Sequence, residues 1–201
     1  MIKFPTKQGL YDPKFEHDAC GMGFVAHIKG KKSHDIVHQA LTMLANLEHR
    51  GGQGAEKNTG DGAGILLQIP HEFFRCQFAQ QGIELPAPGE YGVGMLFLPT
   101  DPALREQCEQ LLEAIVREEG QDVIGWRTVP TNDATLGEAA KAAQPYIRQI
   151  VIGLNVRDHD PLARERKLYV IRKLAERRIR HRDNGGLGCG EFYFCSLSAS
   201  T

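Results

Sequence analysis

The stretch that decides the fold runs from residue 17 to residue 28 and reads HDACGMGFVAHI. It places Cys20 between a polar leader and an apolar run in which glycine recurs at positions 21 and 23. β-Branched and aromatic residues bounded by polar segments are typical of a buried strand, so we expect a strand over residues 21–28 that begins beside Cys20. Glycine inside a strand lets another backbone or a ligand come close. The Cys20 thiol is therefore expected to face an open space.

Two interpretations of Cys20 follow from its residue type and its position. Free cysteine most often packs in the core as a small apolar side chain. A thiol becomes a good nucleophile when a base lies beside it, and the α-amino group of the same residue can act as that base once the preceding chain is removed. Residues 1–19 are too short to fold alone and end in the small Ala19, as a removable propeptide would. The position therefore favours an N-terminal nucleophile.

Arg50 is the second candidate site residue. Apolar side chains recur at helical spacing between residues 37 and 47, after the expected N-cap Ser33, and glycines at 51, 52 and 54 then end the helix. An arginine at a helix end is often a solvated cation favoured by the helix dipole. On a glycine-rich junction it can instead present its planar fork to a carboxylate. Both interpretations stay open on these residues alone.

Four motifs in order give the chain a resemblance to a known family. They are ACGMGF at 19–24, LEHRGG at 47–52, TGDGAGI at 59–65 and WRTVP at 126–130. Together they resemble the class-II glutamine amidotransferase domain of the glutamate synthase large subunit, over nearly the whole chain. In that family the N-terminal cysteine is the nucleophile, and the arginine of the His-Arg-Gly motif binds the α-carboxylate of glutamine. The resemblance implies a catalytic role for Cys20 and a substrate-binding role for Arg50.

The resemblance also implies a fold and a domain organisation. We expect an α+β fold of the N-terminal-nucleophile hydrolase type, a four-layer αββα sandwich, with residues 1–19 as propeptide and residues 20–201 as the amidotransferase domain. In the family, the Asn-Gly pair of the oxyanion hole and the aspartate that holds the glutamine amino group follow the strand predicted here at 192–198. We therefore expect the sandwich to be incomplete at its C-terminus. Asn184-Gly185 precedes that strand and is not assigned the oxyanion role.

Cofactors and partners are implied in the same way. The substrate would be L-glutamine, whose ammonia passes to 2-oxoglutarate in the remaining glutamate synthase domains, with or without a small electron-donating subunit. FMN and an iron-sulfur cluster are expected only in those domains, and none in this chain. The alternative is a catalytically incompetent fragment that serves as a folding or interaction module. Loss of one oxyanion donor costs ~10²-fold or more in other enzymes, so we expect residues 1–201 alone to hydrolyse glutamine weakly or not at all.

Composition sets the remaining bounds. The 201 residues are 41% apolar and 24% charged with a net charge of −1, which is ordinary for a globular domain and provides no overall field for nucleic acid or a membrane. The five cysteines form no Cys-x-x-Cys pair, so we expect no metal site and a reducing compartment. The sequence contains neither a signal peptide nor a membrane-length apolar run, and we expect a cytoplasmic protein.

The basic stretch 164–182 keeps an apolar helical stripe, which indicates the outer face of a core helix rather than a nucleic-acid site.

The other elements follow from hydrophobic periodicity and turn residues. The glycines at 60–64 precede a strand rather than a helix and lack a following lysine, so we expect them to bring that strand beside the Cys20 strand and not to bind phosphate. Cys108 and Trp126 are expected in the core. Helices are predicted at 71–81, 102–119 and 135–143, and strands at 65–69, 91–98, 123–130, 149–156 and 192–198.

Overall fold

The computed structural model describes residues 6–9, 12, 14, 21–52, 54, 56, 59–60, 62–155, 160–182 and 185–201. Cys20, much of the predicted propeptide and Asn184 lie outside these residues. The chain divides into two compact units. Unit 1 comprises residues 1–66 and 133–142, and unit 2 comprises residues 67–132 and 143–201.

Helices and strands alternate along the described chain. The helices are α1 (His34–Asn46), α2 (His71–Ala79), α3 (Pro102–Glu118), α4 (Glu138–Ala142) and α5 (Pro161–Ala175), and the strands are β1 (Tyr91–Leu98), β2 (Asp122–Thr128), β3 (Tyr146–Gly153) and β4 (Tyr193–Ser198). This order confirms the α+β class and the elements predicted from residue 71 onward. β3 begins three residues before the predicted start, because β1 supplies backbone partners as far as the pair Leu98 and Tyr146.

The four strands form one antiparallel sheet in the order β2-β3-β1-β4. Side chains alternate between its two faces, as the period of a strand requires. On one face, apolar side chains such as Leu96 and Ile150 pack with α3 and α5. On the other face, Tyr91 and Val151 pack against Phe78 of α2. Unit 2 is therefore a sheet covered by helices on both faces.

α3 shows how local sequence signals set the helix ends. The Asp101 carboxylate accepts a hydrogen bond from the Leu104 amide at 2.7 Å, and Pro102 occupies the first helical position. Gly120 follows the helix with φ +73°, a conformation that favours glycine. Cys108 is fully buried on this helix, which confirms its structural role.

Two predicted strands are absent from the structure. Residues 21–28 and 65–69 are all described and neither forms a strand. The expectation of a buried strand after Cys20 was wrong, since Met22 and Phe24 are 90% and 89% exposed. A strand exists only through backbone pairing, and an apolar run cannot provide its own partner. The described residues thus contain one sheet, and the second sheet of the expected sandwich is not among them.

α1 is the main helix of unit 1, and it lies where the spacing predicts it. Ser33 occupies the N-cap position in extended conformation, but its side chain makes no capping hydrogen bond. α1 has half-buried and exposed positions but no fully buried one. Within the described part of the chain, no helix combines the length and apolar character needed to span a membrane.

Candidate active site

Arg50 lies at the helix-to-loop junction that the sequence predicts. α1 ends at Asn46, and a 3₁₀ turn over Glu48–Arg50 follows it. The turn is closed by hydrogen bonds from the Arg50 amide to the Leu47 carbonyl at 2.8 Å and from the Gly51 amide to the Glu48 carbonyl at 3.1 Å. Gly51 is extended and leads the chain away. This turn fixes the backbone from which the half-buried Arg50 side chain projects.

The segment after Cys20 lies against this turn. A Cβ placed on Gly21 would be 3.2 Å from Arg50 Cβ, 3.3 Å from Arg50 Cγ and 3.1 Å from Leu47 Cδ2. A Cβ on Gly23 would overlap the Met43 side chain of α1. The glycines allow a close approach, but side chains of α1 and the 3₁₀ turn approach them rather than the backbone or ligand that the sequence predicts. Gly21, which follows Cys20 directly, packs on the stem of Arg50.

The glycine-rich loop after Arg50 folds back on itself. A Cβ on Gly60 would lie 2.6 Å from the Gly52 carbonyl oxygen, and the Gly54 amide donates to the Thr59 carbonyl at 2.7 Å. We had expected the glycines at 60–64 to bring a strand beside the Cys20 strand. The structure contradicts this, because Gly60 packs on Gly52 and neither segment is a strand.

Glu56 links this loop to α4 within unit 1. Its carboxylate accepts hydrogen bonds from the Ala139 amide at 3.1 Å and from Thr59 Oγ1 at 2.9 Å. These two donors, the Ala139 amide first, hold the pKa of Glu56 below its ordinary value. A single glutamate in a loop matches no sequence motif, so Glu56 was not among the predicted site residues. A Cβ on Gly137 would overlap the Glu56 carboxylate, so a larger residue there would require this side chain to move.

The described cysteines differ in burial and therefore in their accessibility for reaction. Burial, and then the neighbouring Cys189 thiol, raises the pKa of Cys108 to about 12, so this group stays protonated. Cys189 is buried in the same core, whereas Cys76 and Cys195 are exposed free thiols of unit 2. Among the described residues, no group of three histidine, cysteine or carboxylate side chains could hold a metal ion.

Comparison with known proteins decides the family. The profile of the class-II glutamine amidotransferases matches residues 20–201, so the match begins at Cys20. The chain belongs to the class-II glutamine amidotransferases. This confirms the family suggested by the sequence motifs.

Three of the proteins to which this amidotransferase is similar are glutamate synthases. It is 50% identical over 200 residues to the glutamate synthase (NADPH) large chain of Bacillus subtilis, covering 99% of this chain and 13% of the relative. It is 39% identical over 198 residues to ferredoxin-dependent glutamate synthase 1 of Arabidopsis thaliana, covering 98% and 12%. It is 36% identical over 202 residues to glutamate synthase (NADH) of Schizosaccharomyces pombe, covering 98% and 9%. The chain thus spans 9–13% of the length of these relatives.

Of the two predicted site residues, the structure describes Arg50 and not Cys20. Arg50 is described, and its stem contacts the residue that follows Cys20. Cys20 itself lies outside the described residues, as does Asn184. The contact between Gly21 and Arg50 was not foreseen as a pair. The signal available in the sequence was a glycine immediately after the cysteine together with an arginine on a glycine-rich turn.

Proposed function

We propose that this chain is the glutamine-hydrolysing part of a glutamate synthase, with Cys20 as nucleophile and Arg50 as the ligand of the substrate carboxylate. The observation that carries the proposal is the packing of Arg50 against Gly21, the residue next to Cys20. The family match that begins at Cys20 supports the same assignment. In this arrangement, the residue that follows Cys20 lies against the turn that carries Arg50.

The chemistry proceeds through a thioester. The α-amino group of Cys20, once residues 1–19 are removed, takes the thiol proton, and the thiolate attacks the side-chain amide carbon of glutamine. The carbon-nitrogen bond breaks and ammonia leaves with the proton that the amine held. Water then hydrolyses the thioester and releases glutamate. Arg50 contributes a two-pronged contact to the α-carboxylate, which fixes the substrate relative to the thiolate.

The finer fold and the partners belong to the same proposal. We propose the four-layer αββα sandwich for the complete domain, in which further layers cover the apolar side chains that segment 21–28 exposes. Exposed Met22 and Phe24 support this, because large apolar side chains ordinarily need cover. Ammonia would be used by glutamate synthase domains that carry FMN and an iron-sulfur cluster, with or without a small electron-donating subunit. The cytoplasm is the proposed compartment.

The experiment measures ammonia release from L-glutamine by the complete protein that contains this chain. Cys20→Ala should abolish it, because no other group supplies the thiolate. Cys195→Ala, which removes an exposed thiol elsewhere, is the matched control and should keep full activity. Activity retained in Cys20→Ala would contradict the proposal. Glutamate formation from 2-oxoglutarate and added ammonia should survive in Cys20→Ala. This result separates loss of glutamine hydrolysis from loss of the whole enzyme.

A further inference from the structure

Most cations at the outer face of α5 are already neutralised by neighbouring carboxylates. The pairs are Arg166–Asp160, Lys167–Glu119, Arg172–Glu176, Lys173–Glu176 and Arg178–Glu118. The nitrogen-oxygen distances in the first four of these pairs are 2.8–3.1 Å. These contacts account for the solvated outer face that the sequence predicts.

The end of the same helical segment differs. Arg177, Arg180, His181 and Arg182 are all exposed, and none forms an ion pair with any described residue. We call these four residues the basic surface. Three arginines within six positions create a local positive potential in a chain whose net charge is −1.

The backbone beneath the basic surface is firmly held. A π-helical turn over Glu176–Arg180 follows α5, and buried Ile179 anchors it in the core. The carbonyls of Arg178 and Ile179 accept hydrogen bonds from the Leu187 amide at 2.9 Å and the Cys189 amide at 2.8 Å. π-Helical turns cost regular hydrogen bonding and occur frequently at functional sites. The turn presents its arginines from a fixed frame, which lowers the entropic cost of binding.

The surroundings fit single-stranded nucleic acid poorly. Such ligands need aromatic faces on which bases stack, in addition to positive charge. Tyr193 lies beside the basic surface, with its ring centroid 6.0 Å from Arg180 Cζ and 6.1 Å from the Phe97 ring centroid. One exposed ring cannot stack successive bases, as single-stranded ligands require. A carboxylate ligand needs only the guanidinium forks.

We propose that the basic surface docks a carboxylate-rich surface of a protein domain outside these 201 residues. This inference rests on the proposed function, in which the chain is one part of a glutamate synthase, and on the finding that it spans 9–13% of its relatives. Arg177 and Arg180 form no ion pair with a described residue and lie on the anchored π-helical turn, so they favour an acidic partner and fix its register. The neighbouring cations on α5 contribute little to binding of such a partner, because carboxylates of this chain already neutralise their charges.

The test measures binding of fluorescein-labelled decaglutamate to the purified 201-residue chain by anisotropy at 150 mM salt. At that ionic strength charges more than ~8 Å away are screened, so the readout is local. The variant Arg177→Gln/Arg180→Gln/Arg182→Gln should raise the Kd at least roughly tenfold, because it removes the forks that hold carboxylates. Arg166→Gln/Lys167→Gln/Lys173→Gln removes the same charge from paired positions and should raise the Kd less than roughly threefold.

Three outcomes would overturn the inference. One is no binding of decaglutamate by the unmodified chain up to millimolar peptide, and another is an equal effect of the two triple variants. The third is tighter binding of a mixed-sequence 20-nucleotide RNA that displaces decaglutamate, which would assign the surface to nucleic acid. Thermal unfolding checks that all variants fold. Both triple variants retain Cys20 and Arg50, so failure here leaves the ammonia-release result unaffected.

Discussion

At the residue scale, glycines decide how closely separate segments approach. Gly21 packs on Arg50, Gly60 on the Gly52 carbonyl, and Gly186 on the carbonyls of His181 and Arg178. The sequence indicated that another group would come close to Gly21, since glycine recurs there beside a cysteine. It did not indicate the partner of any of the three glycines, because a glycine shows only that space is needed and not which residue fills it.

Arg50→Lys tests the carboxylate contact in the complete protein. Lysine keeps the charge but loses the fork, so the KM for glutamine should rise on the order of tenfold or more with a small change in Tm. Steady-state ammonia release measures KM and kcat. Arg75→Lys, on the exposed face of α2, is the matched control and should leave KM unchanged. An unaltered KM in Arg50→Lys would return this residue to the class of helix-end cations.

Gly186→Ala tests the packing under the π-helical turn. An added Cβ would overlap the His181 carbonyl and lie 2.8 Å from the Arg178 carbonyl, so the backbone must shift. We expect the free energy of unfolding to fall by about 1–3 kcal/mol, as for other overpacked sites. Gly190→Ala is the control, since a Cβ there has open space. Chemical denaturation compares the two, and equal stability would show that the loop adjusts without cost.

At the element scale, pairing explains which predictions succeeded. β1 and β4 were predicted from apolar runs bounded by turn residues, and both have partners in the sheet. Residues 21–28 show the same kind of run without forming a strand, because strand formation also depends on a neighbour that the pattern does not specify. The π-helical turn was missed for a similar reason. Its sequence continues the helical pattern, and the loop at 185–189 that bonds its carbonyls is distant in the chain.

The contact between Glu56 and α4 predicts a pH dependence. The pKa of Glu56 is lowered in the folded chain, so the contact contributes fully above its ordinary pKa of 4.5 and is lost as the pH falls through the lower folded value. Hydrogen exchange should show the Ala139 amide protected at pH 6 and less protected once the pH falls through the lowered pKa of Glu56, after correction for intrinsic rates. Glu56→Gln should weaken this protection at pH 6. Equal protection of the Ala139 amide in Glu56→Gln and in the unmodified chain at pH 6 would contradict the assigned contact.

At the scale of the whole molecule, the sequence motifs identified the family and the structure located only part of the site. Arg50 lies on the predicted turn, whereas Cys20 lies outside the described residues. The sandwich could not be derived from these elements, because one four-stranded sheet is present among them. The chain spans 9–13% of its glutamate synthase relatives.

The central claim is that Cys20 becomes the N-terminal nucleophile of a glutaminase. The most direct test treats the active full-length protein with a glutamine analogue bearing an electrophilic ketone, followed by intact-mass and peptide mass spectrometry. The account predicts loss of residues 1–19, one label per chain on the N-terminal Cys20, and loss of glutamine hydrolysis in proportion to labelling. Full hydrolytic activity in protein that retains residues 1–19, or a label on another cysteine that abolishes the activity, would contradict it.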